Sequence, residues 1–144
     1  MKSAYRIPDN DCNCTEPGTP PKSTIPIGRF TVRSFITSVL DGATVKAGQQ
    51  TVLRGIAFDG GTGIKSVGVS TDGGKSWSDA KLGQDLGKYS FREWTLPVTL
   101  TAGPHSLMVR ATSNGGKTQP MQPLWNPAGY LRNVVETTRL TAAA

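Results

Sequence analysis

The sequence predicts an all-β protein: an antiparallel β-sandwich of about seven strands, preceded by an irregular arm. Three observations predict it. Apolar residues recur with a period of two in short runs rich in β-branched and aromatic types. Glycine-rich turn signals, chiefly Asp-Gly-Gly and Asn-Gly-Gly, close these runs at short intervals. No stretch of helical length carries the 3.6-residue apolar stripe of an amphipathic helix. At 144 residues with 36% hydrophobic content, the chain has the length of one domain, enough to bury a core without staples.

The elements follow in order. Residues 1–29 hold Pro8, Pro17, Pro20, Pro21 and Pro26, which interrupt regular structure, so this segment is read as an arm or interdomain linker. Residues 30–144 form the sandwich. Val32, Phe35, Ile36 and Val39 lie in a strand-like run ending at Asp41-Gly42. Thr51 to Phe58 is the next strand, closed by Asp59-Gly60-Gly61. Ile64 to Thr71 places Val67 and Val69 on one face. Asp72-Gly73-Gly74 then turns the chain toward Trp77, since glycine adopts the positive φ that hairpin loops require. Tyr89 to Leu100 sets Trp94, Leu96, Val98 and Leu100 on one face, and Gly103-Pro104 breaks it. Ser106 to Thr112 puts Leu107, Val109 and Ala111 on one face and Met108 and Arg110 on the other. Asn114-Gly115-Gly116 turns again, and Leu131 to Leu140 is the last strand. Strands at this spacing give an immunoglobulin-like sandwich, here without the Cys…Trp…Cys signature of true immunoglobulin domains.

Sixteen Lys and Arg against ten Asp and Glu give a net charge of +6. The basic residues fall singly, from Lys46 to Arg110, and form no stripe interleaved with aromatics. Nucleic-acid binding is therefore not expected. No run is long and apolar enough to span a membrane, and no apolar stretch follows Lys2 as a secretory signal would need. The cysteines, Cys12 and Cys14, are expected to stay unbridged and incidental, because so short a separation seldom meets disulfide geometry; the alternatives are a partner contact and metal or redox chemistry. A metal site would need further ligands, and His105, the single histidine, is distant in sequence and expected on an exposed loop.

Catalytic constellations are missing from the residue pattern. There is no Gly-x-Ser-x-Gly elbow. Gly60-Gly61-Thr62-Gly63 lacks the Lys-Ser/Thr of a phosphate loop. The acids are scattered, so Asp59-Gly60-Gly61 and Asp72-Gly73-Gly74 are read as turns and not as calcium ligands. Trp77, Trp94 and Trp125 are read as core or interface residues; the alternative is a stacking platform for sugars.

The order of these pieces carries a resemblance. Arg54-Gly55-Ile56-Ala57-Phe58-Asp59-Gly60-Gly61, Gly63-Ile64 and Val69-Ser70-Thr71-Asp72-Gly73-Gly74-Lys75-Ser76-Trp77 come first. Phe91-Arg92-Glu93-Trp94, Val109-Arg110-Ala111-Thr112, Gln119-Pro120, Trp125-Asn126 and Gly129-Tyr130 follow. Together they resemble the C-terminal molybdenum-cofactor oxidoreductase dimerisation domain of the sulfite oxidase family, and most of all its bacterial sulfite and sulfane dehydrogenase branch. The likeness runs from about Ser34 to Leu140, and Met1 to Pro8 looks like the end of a preceding catalytic domain.

The resemblance implies a subunit-association domain that is not catalytic by itself. It implies that molybdopterin sits in a separate catalytic domain of a parent enzyme acting on sulfite or a related sulfur compound. Neither Cys12 nor Cys14 matches the family's molybdenum-ligating cysteine, so no catalytic, cofactor or metal residue is assigned in this chain. In vertebrate members an Arg follows the Trp-Asn block and helps to bind the substrate anion. Ala128 stands there in this chain, so that role is not carried over. The implied partners are a second copy, the parent catalytic domain or a cytochrome subunit, and the implied location is the periplasm. A pairing domain should expose one contiguous apolar face. The expected contributors are Phe91, Met108, Met121, Leu124 and Tyr130, with Arg92 and Arg110 as directional donors. Asp72, Gly73, Gly74, Trp77, Trp94, Trp125 and Asn126 are expected as motif and core positions. The alternative function is a free-standing immunoglobulin-like module for carbohydrate or protein, which exposed coplanar tryptophans would favour.

Overall fold

The computed structural model describes residues 3–144, so the expectation for Met1 and Lys2 lies outside the described residues. Eleven strands and no helix occur among them: β1 (Arg6–Pro8), β2 (Thr24–Pro26), β3 (Arg33–Ile36), β4 (Ala43–Lys46), β5 (Gln50–Phe58), β6 (Ile64–Ser70), β7 (Ser78–Asp79), β8 (Lys81–Leu82), β9 (Arg92–Thr99), β10 (Gly103–Ser113) and β11 (Thr137–Ala143). One sheet runs β4-β11-β10-β6-β7 and a second runs β3-β5-β9-β8; β1 and β2 pair separately. The protein is an all-β sandwich. One pairing departs from the antiparallel expectation: β11 lies parallel to β4, with Leu140 opposite Ala43.

The predicted alternation places the core. Leu53, Ala57, Val67, Val69, Trp94, Leu107, Val109, Ala111 and Leu140 are buried between the sheets. Gly55 faces Trp94 across the β5–β9 ladder. A Cβ there would lie 1.9 Å from the Phe35 carbonyl oxygen and 2.4 Å from the indole. The missing side chain at Gly55 is therefore the space that Trp94 fills. Trp94 is 1% exposed, and its Nε1 finds no hydrogen-bond partner among the described residues. Apolar contact alone holds it, and truncating a buried Trp typically costs about 3–5 kcal/mol.

One buried amide joins the two layers. Gln119 is 1% exposed. Its Oε1 accepts from the Ser34 hydroxyl of β3 and from the Ala111 N–H of β10, and its Nε2 donates to the Asn133 carbonyl at 2.9 Å. Its backbone carbonyl accepts from Arg110 Nε at 2.8 Å. The crossing segment is stitched down further by Asn133 Nδ2 to the Val32 carbonyl and by the Val135 N–H to the Pro120 carbonyl.

Several expectations need correction. Leu131 to Leu140 is not one strand: residues 131–136 cross the open end of the sandwich, with Leu131 at φ 59, and the ladder begins only at Thr137. The strand before Gly103-Pro104 ends as expected, at Thr99, but Gly103-Pro104 is no loop: it begins β10, which pairs with β11 through its first half and β6 through its second. His105 is therefore half-buried on a strand, with Nε2 2.7 Å from the Thr101 carbonyl. The arm is not wholly irregular, because β1 and β2 pair from Arg6–Pro26 to Pro8–Thr24. Cys12 and Cys14 are joined in a disulfide. Asn13 between them adopts φ 49, a left-handed turn that asparagine tolerates. It brings the two Cα atoms to 5.1 Å, inside the bridging range.

Removing the Gln119 amide should loosen both layers at once. Gln119→Leu strands the Ala111 N–H and the Asn133 carbonyl, and should lower stability by about 2–4 kcal/mol in urea unfolding. Ser34→Ala, which removes one donor only, should cost about 1 kcal/mol.

Candidate functional site

Both sheets carry apolar side chains on their outer faces. On the four-stranded sheet, Leu53, Gly55 and Ala57 of β5 point inward, so Ile56 and Phe58 point outward. Phe58 is the hub of an aromatic group. Its ring centroid lies 5.3 Å from Phe91, 6.1 Å from Phe30 and 6.3 Å from Phe35. Phe30 is 69% exposed and Phe91 58%. The ring of Tyr89, also exposed, overhangs Gly61 nearby. Arg33 lies 4.5 Å over the Phe35 ring while its Nη2 meets Glu136 at 3.3 Å. A charged rim thus borders the aromatic face.

On the five-stranded sheet the outer group is smaller. A Cβ on Gly74, which has φ +89, would lie 3.3 Å from Met108 Sδ, 3.5 Å from Met121 Cε and 3.6 Å from the Trp77 ring. These three side chains therefore close over the Asp72-Gly73-Gly74 loop. Trp77 Nε1 donates to the Gly74 carbonyl at 3.1 Å.

At the end of the sandwich the arm forms one wall of a cleft of about 310 Å³. Asp11, Cys12 and Asn13 face Phe30, Leu124, Tyr130 and Leu131 across it, with Arg29, Lys117 and Arg132 also lining it. The Thr15 N–H donates to the Trp125 carbonyl at 2.8 Å, and Tyr5 stacks on Tyr130 at 6.0 Å. Asn126 is buried and shapes this loop: its Nδ2 donates to the Tyr130 carbonyl and its Oδ1 accepts the Tyr130 N–H. Tyr5, one ring of the stack, and Leu131, which follows the other ring in sequence, have φ of 55 and 59. Left-handed backbone at non-glycine residues costs on the order of 1–3 kcal/mol each, so the arm's seat is held against strain.

The residues expected to form one face are distributed over three places. Phe91 lies on the aromatic face, Met108 and Met121 on the opposite sheet, and Leu124 and Tyr130 in the cleft. Arg92 is spent within the chain, donating from Nε to the Gly83 carbonyl and pairing with Asp85 at 3.2 Å. Arg110 is likewise engaged with Gln119. Of the tryptophans, only Trp94 is core; Trp77 and Trp125 are 38% and 37% exposed. Phe30, Phe35, Phe58 and Tyr89 were not singled out from the sequence. The available signal was Ile56 and Phe58, apolar on the face of β5 opposite its buried one.

The family model of the Mo-co oxidoreductase dimerisation domain matches residues 24–140. The chain belongs to this family. Among solved structures it is similar to the sulfane dehydrogenase SoxCD from Paracoccus pantotrophus, with TM-score 0.67 and 25% identity over 80% of this chain and 33% of that one. An engineered protein is similar at TM-score 0.48 and 25% identity, over 79% of this chain and 20% of that one. No curated protein matches. The dimerisation domain thus spans about a third of the sulfane dehydrogenase chain it resembles.

The residues of the dimerisation domain do not fit a molybdenum centre. Its two cysteines are bonded to each other, so neither offers a thiolate. Among the described residues no three of His, Cys, Asp and Glu gather as a ligand set. The carboxylates of the two Asp-Gly-Gly loops are engaged by their own loops. Asp72 accepts from the Ser76 hydroxyl and N–H, the Ser70 hydroxyl and the Lys75 N–H. These bonds, the Ser76 hydroxyl foremost, hold its carboxyl far below the usual aspartate range. Burial pushes Asp59 up, but the N–H groups of Gly61, Thr62 and Gly63 with the Thr62 hydroxyl outweigh it and leave it lowered.

Depressed carboxyl pKa values set a sign for acid stability. The Asp72 and Asp59 bonds stabilise the fold above the pKa of an unfolded aspartate, about 3.9, and that contribution is lost as the pH falls toward the folded values. Asp72→Asn should lower stability at neutral pH and flatten its decline below about pH 4, read by urea unfolding across that interval.

Proposed function

We propose that this chain is the non-catalytic association module of a molybdopterin-dependent enzyme that oxidises sulfite or a related sulfur compound in the periplasm. The observation that carries this reading is the family match across both sheets, joined to an aromatic face left exposed among the described residues. The redox chemistry belongs to a catalytic domain elsewhere in the parent, where molybdopterin would be held. Arm residues 1–29 are the connection to that domain. The cleft end, where the arm docks, is the side turned toward the catalytic domain or a cytochrome subunit.

A second copy is the natural occupant of the face centred on Phe58. Phe30, Phe58 and Phe91 expose rigid apolar area at small entropic cost, which suits an isologous contact across a two-fold axis. The rim of Arg33 and Glu136 offers both signs of charge, so a copy related by the two-fold can meet the opposite charge in its partner. The Met108–Met121–Trp77 group is smaller and largely closed over its own loop, which makes it the poorer candidate.

Sedimentation tests both the association and the choice of face. The chain should run as a dimer at micromolar concentration. Phe91→Asp combined with Phe30→Asp should yield a monomer with an unchanged far-ultraviolet spectrum, while Met121→Asp stays dimeric. A monomer produced by Met121→Asp, and not by the double change, would move the contact to the five-stranded sheet. The unsubstituted chain running strictly as a monomer at high concentration would overturn self-association.

A further inference from the structure

We propose that the Cys12–Cys14 disulfide is a thiol–disulfide exchange site for a dithiol, and that its redox state sets the arm wall of the cleft. The bond is a weak staple. It closes a loop with a sequence separation of 2, and the unfolded-chain freedom a disulfide removes grows with loop length. The arm is already fixed by other means. The β1–β2 ladder, the Thr15–Trp125 hydrogen bond and the Tyr5–Tyr130 stack are further ties, and of these the Thr15 bond lies next to the bridge.

The pair is placed for chemistry. Cys12 is exposed and Cys14 half-buried, and accessible disulfides are the ones that exchange. Asn13, the residue they bracket, is held left-handed at φ 49. Its Nδ2 donates to the Pro8 and Asn10 carbonyls, and Asn10 Nδ2 donates to the Cys14 carbonyl. Cys12 and Asn13 both line the cleft. Opening the bond frees Asn13 to return to ordinary backbone angles and withdraws the ring that shapes this wall. In sequence, Asp9, Asp11 and Glu16 flank the pair without a basic residue between Arg6 and Lys22, while Arg29, Lys117 and Arg132 lie along the rest of the cleft that Cys12 borders. This acidic stretch in a chain of net charge +6 suits a dithiol protein whose thiols lie in basic surroundings.

The exchange balances. A thiolate of the dithiol attacks Cys12 Sγ. A new sulfur–sulfur bond forms to Cys12, the Cys12–Cys14 bond breaks, and Cys14 leaves as a thiolate that takes a proton from water. The second thiol of the dithiol, deprotonated, then attacks its partner sulfur and releases Cys12, which is protonated in turn. Two electrons pass from the dithiol, which becomes a disulfide, to the pair, which becomes two thiols.

The test equilibrates the folded chain in stepped buffers of reduced and oxidised glutathione, and in parallel with dithiothreitol. Acid quenching, maleimide labelling and intact mass then count free thiols. The expected result is two labels per chain, reached in millimolar reduced glutathione without denaturant, with the strand spectrum retained. Amide hydrogen exchange at Thr15, whose N–H binds Trp125, should speed up by about tenfold or more on reduction. Cys14→Ser should trap one glutathione on Cys12, and Cys12→Ser should trap it on Cys14 about tenfold more slowly, in line with exposure. A pair that opens only after unfolding in urea, or that stays as free thiols in oxidised glutathione alone, overturns the exchange site. Unchanged exchange at Thr15 on full reduction overturns the link to the cleft.

Discussion

The structure depends on one constraint: the two sheets are tied together at one end by a polar residue with almost no access to water. Gln119 satisfies Ser34 of one layer, Ala111 of the other and Asn133 of the crossing segment. Apolar contact between sheets is tolerant of sliding, because it has no direction. A buried amide is directional and costly to leave unpaired. It therefore fixes which residues of β3 face which residues of β10, and with them the position of everything attached at that end. The lead-in to β3, the Pro120 turn and the 131–135 segment that walls the cleft all take their places from it.

Below that anchor the interior is conventional. Trp94 occupies the room left by Gly55, and Leu53, Leu107 and Val109 close around it. The outward consequence is less common. Because β5 has a buried face and an apolar outer face, the four-stranded sheet presents aromatic rings to solvent on the side away from the core. A domain whose own core is already complete gains nothing from those rings unless another surface covers them. The same logic distinguishes two surfaces that meet at Phe30. The flat aromatic face suits a copy of itself, while the cleft, lined by the arm and by residues of both charges, suits a neighbour of different shape.

Much of this was legible in the sequence. Period-two alternation placed Val67, Val69, Trp94, Leu107, Val109 and Ala111 inward, and all six are buried. The Asp-Gly-Gly turns lie where their composition put them, with both aspartates folded back on their loops. The ordered blocks from Arg54 to Tyr130 pointed to the family that the comparison supports. Other features depend on partners far apart in the chain, which local pattern cannot register. β4 is a strand because β11 lies beside it, nearly a hundred residues later. Residues 131–136 leave the ladder because Thr31, Val32 and Gln119 hold them across the sandwich end. The disulfide escaped because the expectation rested on spacing alone, and Asn13 supplies the left-handed turn that spacing does not reveal. Phe30 and Phe58 join one face only once β3 and β5 are paired.

The parallel pairing of β11 with β4 has a kinetic side. β11 sits between β4 and β10 in its sheet, so neither of those strands has its full set of neighbours until the last strand docks. Contacts across such sequence distances close slowly, since chain entropy must be surrendered before they reward it. On the ribosome, β4 would wait with an unpaired edge while some ninety further residues are made, roughly 5–20 s at about 5–20 residues per second. The short length of β4, four residues ending in Lys46, keeps that waiting edge small and charged, which is how sheet proteins limit mispairing with other chains.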